Sequence, residues 1–168
     1  TYINEKVAEV MTGQCKQQGY AFPMVWGSEK EPEAREKFIE RTGFVCEQVG
    51  FFPYTDHAGG SPDGMLNDGT ILEIKCPYDS AKQLDYLMLT DQWDLKRMCR
   101  DYYWQCQANM LFTERNLCHF VTYDPRMVDE KHRITHLEIK ANKEDHKLII
   151  IKLEKAIEEK LKQIQLLK

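Results

Sequence analysis

The 168-residue sequence predicts a mixed α/β (α+β) fold, in which helices flank a central sheet. Two observations support this prediction. Segments with helical and strand-like patterns follow one another in the order helix, helix, antiparallel strands, helix, strand, strand, helix. The turn formed by Asn67, Asp68 and Gly69 separates two short apolar runs, which is a strong signal of a β-hairpin. The chain is therefore expected to build one sheet with helices packed on it.

Three helices are predicted in the first two thirds of the sequence, and a glycine ends each of the first two. One helix spans residues 2–12 and ends at Gly13, and a second spans residues 27–41 and ends at Gly43. A third, long helix is predicted over residues 94–113.

The tail and the strands complete the pattern. Residues 142–167 are predicted to form an amphipathic helix, because apolar residues recur there at spacings of three and four. Residues rich in β-formers predict strands over 44–54, 61–66, 71–76, 117–123 and 134–139. No repeat, low-complexity stretch or linker interrupts the sequence, so residues 1–168 are expected to form a single domain.

Composition excludes several classes of protein. The sequence has no apolar run long enough to span a membrane and no nucleotide-binding glycine motif. Its six cysteines form no CxxC pair, which argues against zinc or an iron–sulfur cluster and favours reduced thiols in a cytosol. The net charge of −4 argues against a broad basic face for DNA. It does not exclude DNA, because acids that bind divalent cations count as negative in this sum.

The predicted hairpin carries the residues that indicate chemistry. Asp63 lies on its first strand and Glu73 on its second, so the two carboxylates can face each other across the strands. Strand alternation sends Glu73 and Lys75 to one face and Ile74 to the other. Paired carboxylates suit Mg²⁺, and a neighbouring lysine can orient or deprotonate water and offset charge on a phosphate. Taken alone, this pattern is more often an ordinary ion pair on an exposed hairpin.

Longer segments make the pattern more specific. They are WGSEKEPEAR over residues 26–35, SPDG over 61–64, LEIKCP over 72–77, Tyr102 with Gln105 and Gln107, and YDPR over 123–126. Together they resemble the PD-(D/E)xK nucleases and, more closely, the phage lambda-type exonucleases within the YqaJ-like viral recombinase family. The resemblance extends over almost the whole chain. It implies a PD-(D/E)xK nuclease fold with a mixed central sheet.

The resemblance implies a role for each residue of the metal site. Glu31 would be a helix-borne acid that completes the site. Asp63, Glu73 and the carbonyl of Ile74 would bind Mg²⁺, for which Mn²⁺ can substitute. Lys75 would activate the attacking water.

The resemblance also implies residues that position water and DNA. Gln105 would help to position the water or the lysine, and Ser61, Tyr102 and Gln107 would contact DNA. The family usually carries a further arginine for the 5′-phosphate, in a stretch that precedes the first helix of this sequence. Either that stretch belongs to a longer protein, or the 5′ end is recognised differently.

The implied activity is that of a viral recombinase nuclease. Family members digest one strand of double-stranded DNA from the 5′ end, release mononucleotides and leave a 3′ single strand. Close members form a ring-shaped trimer around DNA and work with a single-strand annealing protein. By the same resemblance, the protein would act in the cytosol of a bacterial host, as a phage or prophage product.

Two other functions remain open at this point. One is a structure- or sequence-specific DNA endonuclease of the same fold. The other is a non-catalytic DNA-binding subunit, which the presence of Glu31, Asp63, Glu73 and Lys75 together disfavours.

Overall fold

The computed structural model describes residues 2–15 and 21–167, and its contacts divide the chain into two compact units. One unit combines the two ends of the chain, Thr1–Tyr20 and Lys143–Lys168, and the other is Ala21–Asn142. The single domain expected over residues 1–168 stays a prediction. None of the described helices is long and apolar enough to cross a membrane.

The unit of the chain ends consists of two helices that pack against each other, α1 (Tyr2–Thr12) and α6 (Lys143–Leu166). Their buried apolar residues include Val7 and Ile164. Both helices lie within one residue of their predicted bounds. Gly13 follows α1 with a φ of 66°, a backbone conformation that glycine adopts without strain.

Among residues 2–15 and 21–167, the remaining helices and the strands lie in the central unit. The helices are α2 (Phe22–Thr42), α3 (Ser80–Leu87), α4 (Gln92–Met98) and α5 (Arg100–Phe112), with a short 3-10 helix at Glu130–His132. The strands are β1 (Cys46–Glu47), β2 (Phe52–Thr55), β3 (Ala58–Gly60), β4 (Gly64–Leu66), β5 (Ile71–Lys75), β6 (Leu117–Tyr123) and β7 (Ile134–Lys140).

Five of the strands form one mixed sheet in the order β1-β4-β5-β6-β7. The pair β5 and β6 is parallel, with Glu73 opposite Phe120, and the other neighbours are antiparallel. Strands β2 and β3 form a separate antiparallel pair. The mixed α/β sheet predicted from the sequence is therefore present, and β5 lies at its centre.

The two faces of β5 pack in two different apolar clusters. Ile71 packs with residues of α5, among them Tyr103 and Met110. Leu72 and Ile74 pack instead with Phe38 and Ala34 of α2. Because side chains alternate along a strand, Glu73 points to the same side as Ile71, and α5 covers it.

Some predicted element bounds were wrong. Residues 44–54 do not form one strand, since β1 and β2 lie in different sheets. The helix predicted over residues 94–113 is broken at Cys99, whose φ of −132° and ψ of 56° are not helical. Both halves contribute residues to the same cluster, including Leu95 and Tyr103, so the apolar spacing continues across the break. Helix α2 begins five residues before its predicted start, with a proline in its first turn.

Candidate active site

A cavity of about 420 Å³ lies between the first turns of α2 and the end of β5. It is lined by Glu31 from α2, by Asp63, Ile74 and Lys75, and by Tyr102 from α5. The structure therefore brings together, around one cavity, five of the residues that the sequence indicated.

Asp63 is held by the backbone of the neighbouring strand. It lies immediately before β4, and its N–H donates to the Leu72 carbonyl at 2.9 Å. Its Oδ2 accepts a hydrogen bond from the Ile74 N–H at 2.6 Å. Burial, reinforced by repulsion from Glu73, raises the pKa of Asp63 to about 7. Two acids that disfavour each other's charge in this way form a site where a cation would be stabilised.

Glu73 is completely buried and receives one donor on each carboxylate oxygen. Lys75 Nζ donates to Oε1 at 2.5 Å, and Asn109 Nδ2 donates to Oε2 at 2.9 Å. Burial opposes the charge of Lys75, but the adjacent Glu73 carboxylate raises the pKa of Lys75 above its ordinary value. The lysine is therefore an ammonium group as it lies beside Glu73.

Glu31 reaches the cavity one turn before Arg35 on the same helix. Arg35 Nη2 donates to the Glu31 carboxylate and also to the main-chain carbonyl of Asp63, the latter at 3.1 Å. Arg35 thus joins α2 to the segment that carries Asp63. The spacing of four residues between Glu31 and Arg35 indicates the ion pair, but it does not indicate the contact with Asp63.

The donor atoms fit a hard divalent cation. Within residues 2–15 and 21–167, no three Asp, Glu, His or Cys side chains converge as a preformed metal site. The acids are instead balanced by neighbouring cations, Glu31 by Arg35 and Glu73 by Lys75. Asp63 and Glu73 nevertheless repel each other, which a bound cation would relieve, and carboxylate oxygens are the ligands that Mg²⁺ prefers. The set therefore fits Mg²⁺, with Asp63 and Glu73 as its central pair.

The predicted DNA-contacting residues are in different settings. The Tyr102 ring is half-buried, with its centroid 5.2 Å from Lys75 Nζ. Ser61 is exposed, and its hydroxyl donates to the Gly50 carbonyl at 3.4 Å. Gln105 is exposed on α5, and in the described part of the chain no hydrogen bond joins it to Lys75.

Gln107 differs from the expectation of a DNA contact. Its side chain is completely buried. Its Nε2 donates to the Lys140 carbonyl and its Oε1 accepts from the Asn142 N–H, each at 2.9 Å. Both ends of the amide therefore already have hydrogen-bond partners inside the protein, and these bonds link α5 to the end of β7 and the residues after it.

Arg126 is a contact that the sequence did not assign. Its guanidinium donates to both carboxylate oxygens of Asp124, at 2.8 and 2.9 Å, and to the carbonyls of Pro77 and Tyr78, each at 2.9 Å. Its Cζ lies 4.3 Å from the ring centroid of Trp26. Arg126 therefore joins the end of β6, the loop that follows β5, and helix α2.

Comparisons with known proteins place this arrangement in a family. Residues 1–116 match the YqaJ-like viral recombinase domain. The crystal structure of LHK-Exo in complex with dAMP aligns with a TM-score of 0.85 and 27% identity, over 99% of this chain and 82% of that chain. Another crystal structure, of the alkaline exonuclease LHK-Exo from Laribacter hongkongensis, aligns with a TM-score of 0.71 and 25% identity, over 98% and 78%.

A third structure extends the likeness of fold. The phage related exonuclease from Haemophilus somnus 129PT aligns with a TM-score of 0.73 over 99% of this chain and 80% of that chain, at 14% identity. No curated protein matches. The alignments confirm the predicted nuclease fold, and the family match confirms the resemblance read from the motifs. The chain therefore belongs to the YqaJ-like viral recombinase family.

Proposed function

We propose that the protein is a Mg²⁺-dependent DNA exonuclease. It would digest one strand of double-stranded DNA from the 5′ end and leave a 3′ overhang for recombination by strand annealing. The observation that carries the proposal is that Asp63 and Lys75 line one cavity and that Lys75 donates to the buried carboxylate of Glu73. Family membership and the alkaline exonuclease fold support the class of reaction. LHK-Exo is described in complex with dAMP, a mononucleotide, which is the class of product expected here.

Asp63, Glu73 and the Ile74 carbonyl are the proposed ligands of the cation, and Glu31 would complete the site. The bound ion, Mg²⁺ or Mn²⁺, would stabilise charge on the phosphate and acidify the attacking water. Asp63 is oriented for this role by the Ile74 N–H, and Glu73 by its two donors.

Lys75 would act on the phosphate and the water as a charged group. Glu73 holds its ammonium at the cavity, and the Tyr102 ring lies next to it. An ammonium there offsets negative charge that develops on the phosphate during hydrolysis. Gln105 and Ser61, both exposed, are proposed to contact water and the DNA strand.

The proposed cellular setting follows from the same family. The partner is a double-stranded DNA end, and the protein would work beside a single-strand annealing protein in the cytosol of a bacterial host. With a net charge of −4, a closed homotrimer around the DNA would provide the grip that a basic surface otherwise provides.

The proposal is tested with a blunt, 5′-phosphorylated duplex that carries a label at either the 5′ or the 3′ end. With Mg²⁺ or Mn²⁺, a 5′ label should appear at once as a mononucleotide, whereas a 3′ label should remain in long strands. Ca²⁺ should bind without turnover, because its coordination is looser and larger. Cleavage in excess EDTA would contradict the metal mechanism, and internal fragments from closed circles would favour the endonuclease alternative.

A matched pair of variants separates the site from general effects of charge. Glu73→Gln should abolish cleavage, because it removes the buried acid of the proposed pair. Glu47→Gln makes the same change on an exposed residue of β1 and should leave the rate unchanged. If the two variants cleave DNA at equal rates, Glu73 is not part of the active site.

A further inference from the structure

We infer that Asn109 is a positioning residue that fixes the orientation of the Glu73 carboxylate, and that Gly60 keeps Asn109 in place. The inference rests on the proposed function, because it concerns the same acid. It adds a part of the site that lies outside the cavity and outside the family motifs.

The two donors on Glu73 differ in kind. Lys75 is charged and lines the cavity, so its ammonium can also interact with a phosphate. Asn109 is neutral and only 4% exposed, so its amide is confined to the protein interior. Its hydrogen bond to Oε2 therefore persists when Lys75 turns towards substrate, and it determines how the carboxylate lies.

Helix α5 holds Asn109 rigidly over this face of the sheet. The Asn109 carbonyl accepts hydrogen bonds from both the N–H and the hydroxyl of Thr113, at 3.0 and 2.7 Å. The neighbouring residue, Met110, is completely buried in the apolar cluster that α5 shares with β5. A donor on such a helix can hold a carboxylate in one orientation.

Gly60 supports the other side of the Asn109 amide. A Cβ atom at position 60 would lie 2.4 Å from Asn109 Oδ1 and 3.0 Å from Phe112 Cδ2. Any side chain there would displace the Asn109 oxygen, and with it the NH₂ group that holds Glu73. Gly60 ends β3, three residues before Asp63, so the amide lies between Glu73 and the segment that leads to Asp63.

Two variants disturb this contact in different ways. Asn109→Leu keeps the approximate volume and removes the donor. Gly60→Ala removes no polar group and acts only by steric displacement of Asn109. Asn116→Leu and Gly50→Ala are the matched controls, because Asn116 is exposed and a Cβ at Gly50 meets nothing within 4 Å.

Three quantities are measured on the full chain: Ca²⁺ affinity by calorimetry, kcat and KM on duplex DNA with Mg²⁺, and thermal unfolding. Both test variants should lose about 10- to 100-fold in Ca²⁺ affinity or in kcat, as is typical when a residue that orients a metal ligand is removed. KM for DNA should stay within about twofold, because a loss confined to the transition state lowers kcat and leaves substrate binding intact. The controls should match the wild type.

The outcomes are distinct. If both variants fold and keep wild-type Ca²⁺ affinity and kcat, Asn109 has no positioning role. If Asn109→Leu does not fold, the same measurements on Gly60→Ala and on the milder Asn109→Ser test whether Asn109 positions Glu73. If the wild-type protein neither binds Ca²⁺ nor cuts DNA, the proposed function itself fails, which is a different result from variants that match an active wild type.

Discussion

The acid pair illustrates what individual residues contribute to this fold. Asp63 accepts a short backbone hydrogen bond, and Glu73 has a donor on each oxygen. Each acid is thus oriented, but their mutual repulsion remains. Residues of this kind favour function over stability, because strain is tolerated at a site when the surrounding fold enforces it.

Replacing Asp63 should separate stability from activity. Asp63→Asn keeps the shape and the acceptor for the Ile74 N–H, and it removes a half-buried charge that faces Glu73. We expect cleavage to be lost and the midpoint of thermal unfolding without divalent cations to rise by about 2–4 °C for each kcal/mol of repulsion relieved. Scanning calorimetry would measure this shift.

Asp56→Asn is the control for this change, since Asp56 is exposed in the turn between β2 and β3. It should alter neither quantity. A fall in the midpoint for Asp63→Asn would mean that the acid pair is stabilising and that the account of its repulsion is wrong.

The site could be predicted only in part from the sequence. Asp63, Glu73 and Lys75 were indicated because a hairpin and strand alternation are local patterns. Asn109 was not, because it lies 36 residues from Glu73 and an asparagine within a helix has no distinctive spacing. Gln107 was interpreted from a motif, whereas burial, which the motif does not encode, gives its amide a role in packing.

At the level of elements, helix α2 and the loop after β5 are joined through Arg126. Arg126→Lys should lower the free energy of unfolding by about 2 kcal/mol, because lysine keeps the charge but cannot satisfy a carboxylate and two carbonyls together. Urea denaturation would measure the change. Arg97→Lys is the matched control, since Arg97 is exposed and forms an ion pair with the neighbouring Asp94 at 2.7 Å.

Activity should fall with Arg126→Lys as well, since the loop that Arg126 holds directly follows Lys75 and Cys76. The variant could instead keep full activity while its free energy of unfolding falls by the expected amount of about 2 kcal/mol. That result would show that Arg126 has a structural role only.

Strands β6 and β7 share two histidines, the buried His119 and the half-buried His136, that should make stability depend on pH. His119 Nδ1 and His136 Nε2 are 2.7 Å apart, and burial lowers the pKa of both imidazoles. The pKa values of the two histidines are lower in the folded chain than in the unfolded chain. The free energy of unfolding that the pair contributes is therefore complete above about pH 6.5, and it is lost as the pH falls below that value. Asp68, Glu138 and Arg41 are the charged groups that act on the pair.

Urea denaturation at several pH values would measure this dependence. His136→Gln should reduce the loss of unfolding free energy between about pH 7 and pH 5, because one titrating group is removed. His57→Gln, in an exposed turn, should leave the slope unchanged. Identical slopes for all three proteins would show that the pair does not titrate on unfolding.

The elements show why sequence patterns predict some structures and not others. The hairpin of β4 and β5, strand β6 and the helix α6 follow from local spacing and turn chemistry, and they were predicted to within a few residues. The packing of β2 against α5 instead joins residues that are far apart in the chain. The ring centroids of Phe112 on α5 and Tyr54 on β2, for example, are 5.0 Å apart, with the ring planes tilted by 33°. No local sequence pattern predicts such a contact.

At the scale of the whole molecule, the low net charge bears on how DNA is held. We expect a closed homotrimer with DNA through its centre, because a chain of net charge −4 has little electrostatic grip and topological enclosure can replace it. Light scattering should give three times the monomer mass. Enzyme loaded on a linear duplex should continue through a challenge with excess competitor DNA.

Covalently closed circles provide the control, since a ring that does not open cannot load on them. They should remain intact. A monomer mass at micromolar concentration, or rapid cutting of closed circles, would contradict the ring model. Neither result would contradict the proposed metal mechanism.

The parallel pairing of β5 with β6 also bears on the order in which the strands can pair while the chain is being synthesised. Ile71 pairs with Cys118, far along the chain, whereas Gly64 pairs with the nearby Leu72. The hairpin is a contact of low sequence separation and can close first, while the parallel pair must wait for α5 and β6 to be synthesised. We therefore expect Glu73 to stay hydrated until α5 docks and brings Asn109 to its carboxylate. Burial of this carboxylate, which costs free energy of hydration, is then expected late in folding.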